Sequence, residues 1–187
     1  LIFHLRIHIF FDGNKKAKQI CIMISLSQPM LLTSRGFHKF LITMKKSSLI
    51  PILPQILSSH KEWFESKGRK GIFADLSEED FRESNFKNSV LVEANFQGAD
   101  LRGANFENAD LRGANLQDAQ LINACLKNAN FEETDLMWAN LENANLHNTR
   151  LDGAYLQGAN LKNTQITTVQ IKFTWTDEDT LLPPGIH

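Results

Sequence analysis

The side chains that most often hold metal ions or attack substrates are scattered along this sequence instead of being clustered. Cys21 and Cys125 lie far apart, and His60 and His147 each stand alone, so no metal-ligand spacing is present. Two cysteines are too few for a disulfide framework, which favours a reduced, cytoplasmic setting. We therefore predict no metal and no cofactor, and we expect a lone exposed histidine such as His147 to be solvated.

Carboxylate groups that could take part in acid–base chemistry occur at Glu132-Glu133 and at Glu78-Glu79-Asp80. Neighbouring acids arise by chance in an acidic segment, so we interpret them as solvated surface. The glycines do not form a phosphate-binding loop, because Gly98, Gly103 and Gly113 recur at multiples of five as turn residues. These observations predict that the chain is not an enzyme.

The residues that could position any site follow a period of five. Leu, Phe or Ile occupies every fifth position from Leu76 to Ile171, which gives 20 consecutive positions, and a small residue, usually Ala, lies two places before most of them. Five residues of an α-helix advance by about 500°, so the apolar residues would spiral around it. On a strand they would alternate between faces. The apolar set is buried only if the chain turns after each pentapeptide.

The segment Ala-Asp-Leu-Arg-Gly-Ala-Asn-Phe-Glu-Asn at 99–108 resembles the tandem A-(D/N)-L-x-x pattern of the pentapeptide-repeat family, and the resemblance extends over roughly 74–173. It implies an all-β solenoid, a right-handed quadrilateral β-helix with four repeats to a coil. Twenty repeats then imply about five coils, and stacked strands at ~4.8 Å make a rod about 24 Å long.

The ends of the chain differ from the repeat. Residues 1–43 carry a net charge of +5, whereas the rest carries −6. We expect 1–43 to be a disordered leader or translated sequence upstream of a true start at Met44. Residues 44–73 are predicted to be an N-terminal capping helix segment, 74–175 the β-helix and 176–187 a C-terminal cover.

The capping helix is predicted from its own signals. Pro54 can open it and Gly68 can end it. Its apolar face is expected to cover the first coil through Ile56, Leu57, His60, Trp63 and Phe64. At the other end Thr176 is expected to break the repeat.

Four large apolar residues occupy positions that the period directs outward: Ile122, Met137, Trp138 and Tyr155. Aromatic and sulfur-containing side chains are typical of the centres of binding surfaces. These four residues are therefore the candidate partner-binding patch. Asparagines recur at intervals of twenty (Asn88, Asn108, Asn128, Asn148) and are expected to stack as amide ladders.

Two functions remain open. The first is a scaffold that binds an unidentified protein partner through the outer faces of the rod. The second is mimicry of DNA, the activity of gyrase-protecting, quinolone-resistance members of the family. B-DNA carries one charge per ~1.7 Å, whereas residues 74–173 hold 15 acids against eight bases, a net −7. We therefore favour the scaffold. No membrane association and no direct binding to nucleic acid are expected, and self-association through the coil ends is left open.

Overall fold

The computed structural model describes residues 49–186, which lie in one compact unit spanning Ser48–His187. The hypotheses about residues 1–43 and about a start at Met44 fall outside this range. Three short helices are present between residues 49 and 186: a 3₁₀ helix at Ile50–Ile52, α1 at Leu53–Glu65 and α2 at Thr168–Ile171.

The rest of the described chain is joined by single parallel β-bridges, with no longer strand within residues 49–186. Each bridge pairs a residue with the one twenty positions on, from Asp75 with Asn95 to Asn140 with Asn160. Bridges recur every five residues, so each 20-residue coil contributes four of them. The predicted solenoid is confirmed. Each of its sides is one pentapeptide, and each pentapeptide within 74–163 contains one residue that forms a β-bridge to a neighbouring coil.

A tight turn ends each pentapeptide from the one that contains Glu78 to the one that contains Asn163. The Ala104 N–H donates to the Leu101 carbonyl oxygen at 3.0 Å, and Gly103 between them has a φ of +69°. A positive φ at the third residue of a four-residue turn is the type II geometry. The same left-handed backbone recurs at every fifth residue from Glu78 to Asn163, with φ between 56° and 72°.

The interior confirms the prediction of inward positions. All 20 residues of the period-five series are buried. Ala, Ser or Thr occupies the second inward position in every pentapeptide except those with Glu79 and Val169, which are exposed. In the first half of the rod phenylalanines fill the centre. The rings of Phe86 and Phe106, one coil apart, stack with centroids 4.6 Å apart, and Phe96 meets both edge-on.

The predicted regular repeat through Ile171 is wrong at its last turn. Thr168 stands where the next left-handed residue would fall, and a β-branched residue disfavours that conformation. The chain instead forms α2, and the Gln170 side-chain amide donates to the carbonyl oxygens of Leu146 (2.8 Å) and Thr149 (2.9 Å) in the previous coil.

Pairing continues beyond Thr176, the residue at which we expected the repeat to break. Bridges resume between Tyr155 and Trp175 and between Asn160 and Leu181, the latter shifted by one residue. Beyond them Leu182 and Ile186 pack against the core. The last segment of the chain thus adds to the solenoid and partly covers it.

Helix α1 packs against the first coil through Leu53, Ile56 and Leu57. His60, which we expected only to share this apolar face, is completely buried and doubly hydrogen-bonded. Its Nδ1 accepts from the Ala74 N–H at 3.1 Å, and its Nε2 lies 3.0 Å from the Val92 carbonyl oxygen. Burial lowers the pKa of His60, against smaller opposing effects of the Val92 carbonyl and the Glu93 charge.

Candidate functional site

The four residues of the predicted patch lie at different depths. Met137 and Trp138 follow the buried Leu136 and form the turn of their pentapeptide. Trp138 is 52% exposed and Tyr155 is 43% exposed, whereas Met137 and Ile122 are half-buried. All four therefore reach the outer surface of the solenoid to some degree.

The structure brings three of the four onto one side of the coil. The Leu136 N–H donates to the Tyr155 carbonyl oxygen at 2.8 Å, and the Trp138 N–H donates to that of Gln157 at 3.0 Å. These bonds join the pentapeptide of Met137 and Trp138 to that of Tyr155. Ile122 lies on the next side, within the pentapeptide 119–123, and does not share this face.

Trp138 is held against a glycine of the following coil. A Cβ atom added to Gly158 would come within 2.2 Å of the Trp138 ring, so the ring occupies the space that a side chain would need. The period of five directs Trp138 outward, and from the sequence we expected its side chain to be exposed to solvent. In the structure about half of it is covered instead, and only its outer part is free to contact another molecule.

Trp175 belongs to this surface and was missed as a site residue. Its ring lies parallel to that of Tyr155, with centroids 6.4 Å apart and planes at 13°, and it is 58% exposed. The sequence could have identified Trp175, because it lies twenty residues after Tyr155 and so falls in the same column. We call Met137, Trp138, Tyr155 and Trp175 the aromatic surface.

Two further features border the aromatic surface. The exposed ring of Phe173 lies at the preceding corner, and the Lys172 ammonium group lies 5.2 Å from its centroid. Asp177 accepts a hydrogen bond from the Gly158 N–H at 2.9 Å, which draws the C-terminal segment beside Trp138. The surface is therefore a mixture of aromatic rings and carboxylates.

Three acids elsewhere on the rod pair with the arginine two residues later. Asp80, Asp100 and Asp110 each accept a bidentate pair of hydrogen bonds from such an arginine. The hydrogen bond from Arg82 lowers the pKa of Asp80 to about 2. These acids carry little uncompensated charge, and Glu132, paired with Arg150, is similar.

One predicted amide ladder is present. Asn108 donates to Asn88, Asn128 to Asn108 and Asn148 to Asn128, at 3.0, 3.1 and 3.3 Å. Asparagines that precede the buried residues accept hydrogen bonds in the turn, as Asn105 does from the Glu107 N–H at 2.9 Å. Two of them also stack, since the Asn160 side chain donates to that of Asn140 at 3.1 Å. Both sets stabilise the scaffold that carries the aromatic surface.

Some kinds of site were not found in the described part of the chain. Between residues 49 and 186 no three His, Cys, Asp or Glu side chains come together as a metal site. Over the same range no helix is long and apolar enough to cross a membrane.

A family model of pentapeptide repeats matches residues 72–103, 100–136 and 134–169 of this chain. No curated protein sequence matches it. Among solved structures, a pentapeptide repeat protein from the Arabidopsis thaliana thylakoid lumen is 37% identical. That match covers 54% of this chain and 72% of the Arabidopsis chain, with a TM-score of 0.52.

Two other pentapeptide repeat structures are less similar in shape. HetL from a Nostoc cyanobacterium, involved in heterocyst differentiation regulation, is 35% identical over 56% of this chain and 41% of its own, with a TM-score of 0.47. QnrB1, a plasmid-mediated fluoroquinolone resistance protein, is 18% identical over 60% of this chain and 68% of its own, with a TM-score of 0.32. The five-residue period, the buried series and the family match together establish that this chain belongs to the pentapeptide repeat family.

Proposed function

We propose that this chain is a non-catalytic scaffold that binds a partner protein through the outer faces of its solenoid, with the aromatic surface at the centre of the contact. The observation that carries this proposal is the environment of Trp138. This residue is 52% exposed, and its backbone is left-handed, with φ +59°. For a residue with a bulky side chain this conformation costs about 1–2 kcal/mol. Strain of this kind concentrates at functional sites.

Folding alone does not account for a tryptophan at this corner. From Glu78 to Asn163 the other left-handed corners are occupied by Gly, Asn, Asp or Glu, residues that are small or polar. Asparagine and glycine adopt the left-handed backbone at least cost. A tryptophan that remains half exposed there supports a contact with another molecule.

The neighbours of Trp138 support the same conclusion. Tyr155 and Trp175 present parallel, exposed rings on the same side of the coil, and Met137 lies beside them. Tryptophan and tyrosine are enriched among the residues that dominate binding energies at protein interfaces. Methionine is likewise enriched at such interfaces.

We also propose that α1 acts as the N-terminal cap. Leu53 is buried, and Ile56 and Leu57 pack on the core beside it. An uncovered first coil would expose apolar residues and unpaired backbone groups, which favours association between chains. His60 supports the docking of α1 through its two buried hydrogen bonds.

DNA mimicry with a topoisomerase as the partner is the alternative that we rank second. A mimic needs a dense row of negative charge, about one per 1.7 Å for B-DNA. The arginines paired with Asp80, Asp100 and Asp110 reduce this density along the rod. A gyrase supercoiling assay with and without the protein separates the alternatives, because only a mimic should inhibit the enzyme.

The direct experiment is affinity capture from a lysate of the source organism. The bait is compared with a Trp138→Asn variant, which places the residue most common at these corners at position 138. Val169→Asn is the matched control, because Val169 is 76% exposed but lies on α2. We expect a partner that is captured by the wild type and the control and lost with Trp138→Asn. Equal capture by all three proteins would contradict the proposal.

A further inference from the structure

One side of the solenoid differs from the others in its charge. This side, which we call side 1, consists of 74–78, 94–98, 114–118, 134–138 and 154–158, and it carries most of the aromatic surface. Side 1 contains no Lys or Arg. Trp175 extends it by one coil, through its bridge to Tyr155, and the residues that follow Trp175 are acidic. The acids of this surface are Asp75, Glu78, Asp118, Asp135, Asp177 and Glu178.

The other three sides mix both signs of charge. Arginines or lysines occur on each of them, and several pair with acids, as Lys87 does with Glu107 at 2.5 Å and Arg112 with Asp110 at 2.7 Å. The nearest base along the chain to the aromatic surface is Lys172, which lies over the ring of Phe173. Side 1 is therefore the side whose acids have no lysine or arginine on the same side to pair with.

Two of these acids lie directly below the aromatic rings. Asp118 precedes Trp138 by one coil in the same column, and the bridge between Asp135 and Tyr155 places that acid next to the tyrosine. Within the described residues neither Asp118 nor Asp135 forms an ion pair. Both carboxylates are thus able to accept hydrogen bonds from a cation that is bound to the rings.

We propose that side 1 binds an arginine-rich or lysine-rich segment of a partner protein. This inference rests on the proposed function and specifies the chemistry of the partner. A cation that lies over an aromatic ring is attracted by it, and arginine in addition stacks its plane on the ring. The contact of Lys172 with Phe173 is an example of the same interaction within this chain. Carboxylates at the rim then pair with the remaining N–H groups of the guanidinium.

Charge selects between the classes of partner. A nucleic acid would bring phosphates to a side that has acids and no base, and the repulsion would oppose binding. An apolar partner would leave Asp118 and Asp135 desolvated without a counter-charge, which is unfavourable. A basic peptide segment satisfies both the rings and the acids.

The test uses a fluorescein-labelled hexa-arginine peptide, with the full chain titrated into it and fluorescence anisotropy as the readout. Trp138→Asn and Asp135→Asn are the two test variants. Asparagine is conservative at position 135, because Asn95 and Asn115 in the same column accept the same turn hydrogen bond that Asp135 accepts. Glu133→Gln is the matched control, since it removes one negative charge two residues away but on the neighbouring side.

We expect each test variant to weaken hexa-arginine binding about fivefold or more, and the control to change it less than twofold, at an ionic strength of about 0.1 M. Hexa-lysine should bind more weakly than hexa-arginine because it cannot stack, and hexa-glutamate should not bind. Equal losses in Asp135→Asn and Glu133→Gln would mean that net charge alone attracts the peptide, and the inference would be overturned. Unchanged binding by Trp138→Asn would overturn it too.

The two proposals fail separately in these experiments. If affinity capture yields a partner that depends on Trp138 while hexa-arginine binding is indifferent to Trp138 and Asp135, the scaffold function stands and the cationic partner is wrong. If hexa-arginine binding requires both residues while capture is unaffected by Trp138→Asn, side 1 has the stated affinity but the proposed function fails.

Discussion

Acidification should weaken the docking of α1, because His60 is buried in its neutral form. Its Nδ1 accepts a hydrogen bond from the Ala74 N–H, so the ring proton is on Nε2 and faces the Val92 carbonyl oxygen. Protonation of the ring would place a second donor, the Nδ1–H, opposite the N–H donor of Ala74. Protonation of His60 is therefore unfavourable in the folded state, in agreement with its lowered pKa.

The sign of the pH dependence follows from this lowered pKa. In the unfolded chain the histidine titrates near 6.5, whereas in the folded protein it titrates at lower pH. Between these two values the unfolded state binds more protons, so the free energy of unfolding falls as the pH falls. The full contribution is present above about pH 6.5, and each pH unit inside the window removes up to about 1.4 kcal/mol. Glu93 opposes part of this effect, since its charge favours the protonated ring.

The assay is urea denaturation followed by far-ultraviolet circular dichroism at several values between pH 5 and pH 8. A His60→Leu variant should lose about 2–5 kcal/mol at pH 8, because the Ala74 N–H and the Val92 carbonyl oxygen are left buried without partners. Its pH dependence should be flatter than that of the wild type. His147→Leu is the matched control, since His147 is exposed on the outside of the solenoid, and it should retain the wild-type slope. Identical pH slopes for His60→Leu and the wild type would refute the reasoning.

Three further predictions concern the interior, the corner at Trp138 and the cap. Leu111→Ala should lower the free energy of unfolding by ~2–5 kcal/mol, whereas Arg112→Ala beside it should change it by ~0.5 kcal/mol or less; comparable urea midpoints would contradict the burial assigned to Leu111. Gly158→Ala should be more destabilising than Gly113→Ala, and of the two only Gly158→Ala should shift tryptophan emission, because its added methyl group meets the Trp138 ring whereas that of Gly113→Ala meets no tryptophan; equal losses and unchanged spectra would count against that contact. Deleting 44–70 should cause self-association, measured by light scattering, because the first coil is uncovered; a monomeric truncated protein of wild-type stability would exclude the capping role.

The period of five was sufficient to predict the interior. A pattern of one large and one small apolar residue in each pentapeptide leaves only a chain that turns at every repeat, so the inward residues followed directly from counting. The outward direction of Trp138 followed from the same count. The packing of its ring over Gly158 did not, because that contact depends on the rotamer of the side chain and not on the count.

The features that the sequence did not reveal depend on contacts between distant segments. The two hydrogen bonds of His60 require α1 to be docked on the first coil, which brings residues 14 and 32 positions away to one ring. Trp175 was placed in the coil but not in the patch, because the repeat around it has lost its regular spacing. Thr168 could have signalled the end of the regular turns, since a β-branched residue disfavours the left-handed corner.

The central claim is that Trp138 is retained for binding and not for folding, and the stability of Trp138→Asn tests it most directly. The covered half of the ring contributes about 2 kcal/mol through the removal of apolar area from water. Replacing tryptophan by asparagine recovers about 1–2 kcal/mol of left-handed strain. We therefore predict that the free energy of unfolding, measured by urea denaturation, stays within about 1 kcal/mol of the wild type. A loss of about 3 kcal/mol or more would show that the ring is a packing element of the solenoid, as core truncations are, and would contradict the claim.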